Sequence, residues 1–272
     1  MKTLPVGLQI YTIRDYAEKD FAGAMKAIKE MGYDYAELAG TYGLPFDEIK
    51  AALDAAGVTA ISSHVPLDEL LADAEKAIDN YMSIGAKFIV IPYLGEGSRP
   101  GDKGFDELLK KIEEIGKICV KKGVKLLYHN HDFEFVKMPD GSFGLDYMYA
   151  TVPAEYLQTE LDTCWVKVAG ECPVAYLKKY AGRSPVVHLK DFKGQKTANM
   201  YELIGIDKKA DAAAEKFAFR PVGYGVQNFP AILEATIAAG AEYVIVEQDR
   251  SDDCSSMEAA KKSRDYLRTL GW

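Results

Sequence analysis

No apolar run in the 272-residue chain reaches the roughly 18 residues that a membrane-crossing helix needs, which excludes a spanning segment. Met1 to Gln9 holds neither a signal-peptide core nor a cleavage site, and the expected location is the cytoplasm. Cysteine is scarce. Cys119, Cys164, Cys172 and Cys254 show no Cys-x-x-Cys spacing, so they are expected to be reduced packing residues rather than a disulfide framework. Positive charge is in deficit: 33 Lys and Arg against 41 Asp and Glu leave a net charge of −8. An acidic surface of that kind repels phosphodiester backbones, and nucleic acid is not an expected partner. No stretch rich in Pro, Ser or Gly divides the chain, so residues 1–272 are expected to form one domain, a length that an α/β barrel fills.

What the chain does have is rhythm. A helical stretch, a glycine and a short apolar run follow one another at Met31-Gly32-Tyr33, Ala56-Gly57-Val58, Ile84-Gly85-Ala86, Lys122-Gly123-Val124 and Ala239-Gly240-Ala241. Glycine accepts the left-handed conformation that ends a helix, so each instance marks a helix terminus feeding a strand. The stretches before them carry helical spacing, as in Phe21, Met25, Ile28 and in Phe105, Leu108, Leu109, Ile112, Ile115. Strands are expected near Val6–Tyr11, Tyr33–Leu38, Val58–Ser63, Lys87–Tyr93, Val124–His129, Tyr156–Leu161, Val186–Leu189 and Tyr243–Glu247. Continuous apolar runs such as Phe88-Ile89-Val90-Ile91 suit parallel strands buried on both faces. Eight strands alternating with helices predict a closed (β/α)₈ barrel; an open doubly wound sheet is the runner-up, weakened by the lack of Gly-x-Gly-x-x-Gly after the first strand. Phe192 to Tyr224 reads as a long irregular loop over the barrel mouth, with Asp211 to Lys216 as a short helix within it.

In such barrels the chemistry sits at the C-terminal strand ends. Those positions hold Gln9, Tyr11, Glu37, His64, Tyr93, His129, His131, Asp162, His188, Lys190, Asp191, Glu247, Gln248 and Asp249, and they include all four histidines. Asp162, His188 and Glu247 end three successive strands, whose tips can share one metal ion. A fourth ligand is expected after the fifth strand, from Glu134 or from His129 or His131, which point to one face at i and i+2. Carboxylate and imidazole without thiolate suit Mn²⁺, Mg²⁺, Co²⁺, Fe²⁺ and Zn²⁺ alike. Lys190 is expected either to act on substrate or to pair with Asp191 or Glu247. Arg14, Arg220 and Arg250 are the arginines nearest the mouth, few enough to favour an unphosphorylated substrate.

The segments Gly7-Leu-Gln-Ile-Tyr-Thr-Ile-Arg-Asp15, Ser62-Ser-His-Val-Pro66, Tyr128-His-Asn-His-Asp-Phe-Glu-Phe135, Leu161-Asp-Thr-Cys-Trp165, His188-Leu-Lys-Asp191 and Val246-Glu-Gln-Asp249 resemble the sugar phosphate isomerase/epimerase family of the xylose-isomerase-like barrels. The resemblance runs in order from the first strand to the last. It implies one divalent ion, Mn²⁺ or Mg²⁺ foremost with Zn²⁺ and Co²⁺ as alternatives, held by Glu134, Asp162, His188 and Glu247, with His131 as the competing ligand to Glu134. It implies Glu134 and Glu247 as bases, His131 and Lys190 as further catalytic groups, and Gln9, Glu37, His64, His129 and Trp165 as contacts to a small carbohydrate. Two departures bear on substrate. Trp165 and Gly194 stand where the keto-sugar epimerases carry a histidine and an arginine, and related branches act as inositol-pathway dehydratases or on 3-keto-glycosides. The implied reaction is isomerisation or epimerisation by removal of a proton next to a metal-bound carbonyl, with a lyase or hydrolase on keto-inositols or 3-keto-glycosides as the alternative. Apurinic-site endonucleases share this barrel but use more histidines and a basic groove, unlike this acidic chain. A homo-oligomer is compatible with the sequence.

Overall fold

The computed structural model describes residues 3–196, 200 and 217–272. Eight parallel strands close into a barrel: β1 (Val6–Gln9), β2 (Tyr35–Ala39), β3 (Thr59–His64), β4 (Phe88–Ile91), β5 (Lys125–His129), β6 (Gln158–Asp162), β7 (Val186–Leu189) and β10 (Tyr243–Val246). Each pairs with its predecessor, and β10 closes the ring between β7 and β1. The helices around it are α1 (Arg14–Ala17), α2 (Phe21–Met31), α3 (Phe46–Ala56), α4 (Leu67–Ser83), α5 (Phe105–Lys122), α6 (Gly144–Thr151), α7 (Thr163–Val168), α8 (Pro173–Lys179), α9 (Phe229–Ala238) and α10 (Ser256–Thr269). The barrel and the strand positions match the sequence expectation, with ends shifted by a residue or two.

The helices cover the sheet because their apolar residues recur on one face. In α5 the buried set is Phe105, Leu108, Leu109, Ile112, Ile115, Gly116 and Cys119, a stripe at helical spacing. Each such large side chain withdrawn from water contributes about 1.5–3 kcal/mol. Gly116 within that stripe is a point of close approach: a Cβ there would meet the Tyr156 carbonyl oxygen at 2.1 Å, so α5 lies backbone to backbone against the segment leading into β6. Gly32 ends α2 at φ 91°, and Asp20 caps its start by accepting from the Gly23 N–H.

One expectation needs correction. The ends of the presumed irregular loop pair as an antiparallel hairpin, β8 (Asp191–Gly194) with β9 (Phe217–Arg220). Alternating aromatics explain it: Phe192, Phe217 and Phe219 turn one face onto Trp165 and Cys164 and form a small second core. The helix expected at Asp211 to Lys216 lies outside the described residues. All four cysteines are unpaired, but only Cys119 and Cys164 are buried packing residues; Cys172 is exposed. Among the described residues no helix is long and apolar enough to cross a membrane.

Candidate metal and substrate site

Alternate residues of a barrel strand face its interior, and that periodicity stacks polar groups in two layers near the C-terminal ends. In β6, Glu160 and Asp162 lie two apart; in β7 and just beyond it, so do His188 and Lys190. The parallel register then sets Asp162 beside His188 and His129 beside Glu160.

The deeper layer is a hydrogen-bonded hub. Glu37 Oε1 accepts from Gln9 Nε2 at 2.8 Å and faces His188 Nε2 at 2.7 Å and His64 Nε2 at 3.1 Å. Glu160 Oε2 faces His64 Nε2 at 2.7 Å, His129 Nδ1 at 3.1 Å and His188 Nε2 at 3.2 Å. Burial works against the charge on Glu37 and Glu160, yet the surrounding imidazoles hold both carboxyls below the usual range. Burial likewise opposes charge on His64, but the Glu37 and Glu160 carboxylates outweigh it and push its pKa up to about 10.

The upper layer contains His129, Asp162, His188 and Glu247, all buried, each offering one donor atom within 4.8 Å of the others. His188 Nδ1 lies 3.0 Å from Glu247 Oε2, and His129 Nε2 lies 3.7 Å from Asp162 Oδ2 and 4.0 Å from Glu247 Oε2. Donors each about 2.1 Å from one ion would stand roughly 3.0–4.2 Å apart, and these separations fall in that interval. Asp162 supplies a second indication. Its Oδ1 accepts from the N–H groups of Cys164 and Trp165 at the start of α7, while its Oδ2 is buried without a hydrogen bond. Burial, against the pull of Lys190, raises the Asp162 pKa to about 6. An oxygen left so is costly, and the Lys190 ammonium, 3.6 Å away, stands beyond hydrogen-bond reach, which leaves room for a closer cation. Burial lowers His129 well below the ordinary imidazole range, which keeps it in the neutral, ligating form. The His/Glu/Asp cluster is thus a set that can hold a divalent ion.

Lys190 closes this layer. Its ammonium lies 2.6 Å from Asp249 Oδ2, 3.1 Å from Glu247 Oε2 and 3.6 Å from Asp162 Oδ2, and rests on the Trp165 and Phe219 rings at 5.2 and 5.1 Å. Burial opposes its charge, but these acids keep it charged and well above the lysine range. Asp191, the other partner considered for it, instead accepts four backbone N–H groups, from Phe192, Gly223, Gly225 and Gln227. Above the layer a cavity of about 290 Å³ is lined by His64, His129, His131, Lys190, Glu247 and Asp249, among others. A larger recess of about 710 Å³ beside it, around Arg99, Asp132 and Lys196, contains none of the clustered donors.

The structure brings Asp162, His188 and Glu247 together and leaves Glu134 out. After His131 the chain winds into a short 3₁₀ turn at Phe133–Phe135, which swings the Glu134 carboxylate back onto its own strand, where it accepts from the Tyr128 hydroxyl at 2.6 Å and the His131 N–H at 2.9 Å. Burial raises its pKa to about 8. His129 stands in the donor group in its place. His131 lines the cavity against the rings of Tyr93, Phe133 and Trp165, at 5.2, 5.7 and 5.2 Å. Of the groups expected to meet substrate, His64 and His129 line the cavity; Gln9, Glu37 and Trp165 are wholly buried beneath it. Glu160 was not foreseen, although a carboxylate in the middle of a buried parallel strand, two residues before a foreseen ligand, was the available signal. Arg14 donates to the backbone oxygens of Tyr11 and Asp249, Arg220 pairs with Asp253 and Arg250 with Asp252.

Comparison with known proteins agrees with the fold. The family model described as xylose isomerase-like TIM barrel matches residues 25–270. The chain belongs to that family. Among curated relatives, the inosose dehydratase of Bacillus thuringiensis (strain Al Hakam) is 24% identical over 280 residues, covering 93% of this chain and 90% of the relative. A sugar phosphate isomerase/epimerase from Parabacteroides distasonis ATCC 8503 has a TM-score of 0.76 and 22% identity, covering 97% of this chain and 98% of that one. A xylose isomerase-like barrel protein from Mycobacterium smegmatis, solved in complex with magnesium, has a TM-score of 0.72 and 16% identity, covering 99% and 98%. The superfamily is one of enzymes, with isomerase, epimerase and dehydratase members.

Proposed function

We propose that this chain is a divalent-metal-dependent enzyme that moves a proton on carbon next to a carbonyl of a small, unphosphorylated keto-sugar or keto-cyclitol. The observation that carries the reading is the convergence of four donor residues at the floor of the cavity, one of which, Asp162, keeps its buried Oδ2 without a hydrogen bond. His129, Asp162, His188 and Glu247 would hold the ion, with Mn²⁺ or Mg²⁺ favoured by the hard oxygen donors and by the magnesium in the Mycobacterium smegmatis relative. A bound ion would supply Lewis acidity that makes a C–H beside a coordinated carbonyl easier to ionise.

The chain's residues do the rest. Glu247 lines the cavity as an ionised carboxylate, held there by Lys190 and His188, and is the base. Lys190, charged and locked between Asp249 and Glu247, is the hydrogen-bond donor that stabilises negative charge developing on a substrate oxygen. Since Glu134 is turned away, no second carboxylate faces Glu247 from the fifth strand. A single base favours isomerisation or loss of water over two-base epimerisation. The dehydration reading has its own support in the relative from Bacillus thuringiensis. The arginines near the mouth are all engaged by backbone or acid, in keeping with a substrate that bears no phosphate.

The test is incubation of metal-loaded protein with keto-sugars, keto-inositols and 3-keto-glycosides in deuterated water, read by mass and NMR. A solvent-derived label on an α-carbon is expected, with loss of one water marking the dehydratase outcome, and Glu247→Gln abolishes both. A substrate that turns over without exchange, and at the wild-type rate in Glu247→Gln, overturns proton abstraction by this residue.

A further inference from the structure

The two imidazoles of the proposed metal group are not equivalent. Each ring turns one nitrogen onto a carboxylate outside the donor group and the other nitrogen into the group; the outer carboxylate accepts the N–H of the nitrogen that faces it, and a metal ion would take the inward nitrogen in place of a proton. For His129 the nitrogen on Glu160 is Nδ1, at 3.1 Å; for His188 the nitrogen on Glu37 is Nε2, at 2.7 Å. The inward atoms are His129 Nε2, 3.7 Å from Asp162 Oδ2, and His188 Nδ1, whose 3.0 Å hydrogen bond with Glu247 Oε2 a bound ion would replace. Both carboxylates in turn face one third nitrogen, His64 Nε2, at 3.1 Å from Glu37 and 2.7 Å from Glu160. The His64 ring stacks on His188 at 5.5 Å, with the planes 10° apart.

We propose that Glu37 and Glu160 are positioning residues that fix the two histidine ligands in opposite tautomers, and that His64 ties the carboxylates together from the cavity floor. The inference rests on the metal reading above and adds to it which ring nitrogen each histidine presents. It also gives Glu37 and His64 a role other than contact with substrate. A carboxylate behind a ligating imidazole raises its basicity and restricts its rotation, and removing one typically costs about 10–100-fold in metal affinity. Gln9 donates to the same Glu37 oxygen at 2.8 Å and so helps to hold that carboxylate.

Two measurements test the proposal without substrate. Calorimetric titration of Mn²⁺ into chelator-stripped protein should find one tight site per chain. Glu160→Gln and Glu37→Gln should bind about 10–100-fold more weakly, and His64→Gln should show an intermediate loss. Circular dichroism checks that each variant is folded. Independently of any variant, wild type loaded with NMR-active cadmium and nitrogen-labelled histidine should show cadmium coupling to His129 Nε2 and His188 Nδ1. Coupling to His129 Nδ1 or His188 Nε2 overturns the proposal, as does unchanged affinity in folded Glu160→Gln and Glu37→Gln. A second tight equivalent of metal also overturns it, because His64, His129, Glu160 and His188 would then be ligands of their own ion. Wild type that takes up no metal fails differently: it removes the metal reading itself.

Discussion

Glu134 and Glu160 are both wholly buried glutamates, yet burial raises the pKa of the first while neighbouring imidazoles hold the second below the usual range. At Phe133 the chain turns and carries the Glu134 carboxylate back onto its own strand, a change of direction that spacing along a strand cannot foresee. Its raised pKa, about 8 through burial, has a measurable sign. The folded state holds the proton more tightly than the unfolded chain does. Stability is therefore full below about pH 4.5 and is lost progressively as pH rises towards 8. Glu134→Gln keeps an acceptor for the His131 N–H and an amide for the Tyr128 oxygen without the charge. Its melting temperature is expected to exceed that of wild type by a few degrees at pH 9 and by little at pH 5. A gap that shrinks with rising pH contradicts this account. Asp162, His188 and Glu247 were legible because strand ends are where barrels converge; Glu160 was hidden one turn of the pleat deeper, where a parallel strand ordinarily carries an apolar residue.

Among elements, the alternation of helix, glycine and apolar run made the barrel readable, since it comes from backbone chemistry that repeats. The hairpin β8–β9 did not repeat anything, and its two strands lie far apart in sequence, so no local period betrayed the pairing. What anchors it is Asp191. The carboxylate satisfies three amide groups of the turn after β9, those of Gly223, Gly225 and Gln227, besides that of Phe192 in β8, and its loss leaves them without a partner in a partly buried site. Asp191→Ala is expected to cost about 2–4 kcal/mol, with hydrogen exchange quickened at 221–228 and unchanged in β4 and β5. Uniformly quickened exchange would mean that the residue supports the barrel rather than this turn. Gly116→Ala tests the helix layer: a methyl pushed against the Tyr156 carbonyl should destabilise by about 1–3 kcal/mol, seen as a lower urea midpoint with an unchanged slope.

At the scale of the molecule, closure joins the two ends of the chain, with β1 paired to β10 and the Tyr33 hydroxyl bonded to the Ala260 carbonyl. The proposed ion would bind groups contributed by β5, β6, β7 and the end of β10, and so only the closed ring would offer the site. Binding to the folded state alone adds stability by mass action, about 2.7 kcal/mol at a hundred times the dissociation constant. Chelation should lower the melting temperature by several degrees, and added Mn²⁺ should restore it. A melting temperature indifferent to both argues that no site of this kind exists. The packing of Trp165 beneath Lys190 reaches further than architecture. The chain has two tryptophans, and Trp165 is completely shielded from water while its ring lies 5.2 Å from that ammonium. Its emission should be blue and indifferent to iodide, yet dim when Co²⁺ settles a few ångströms away, and it should persist in Trp272→Phe, so that the protein carries a built-in optical gauge of its own occupancy.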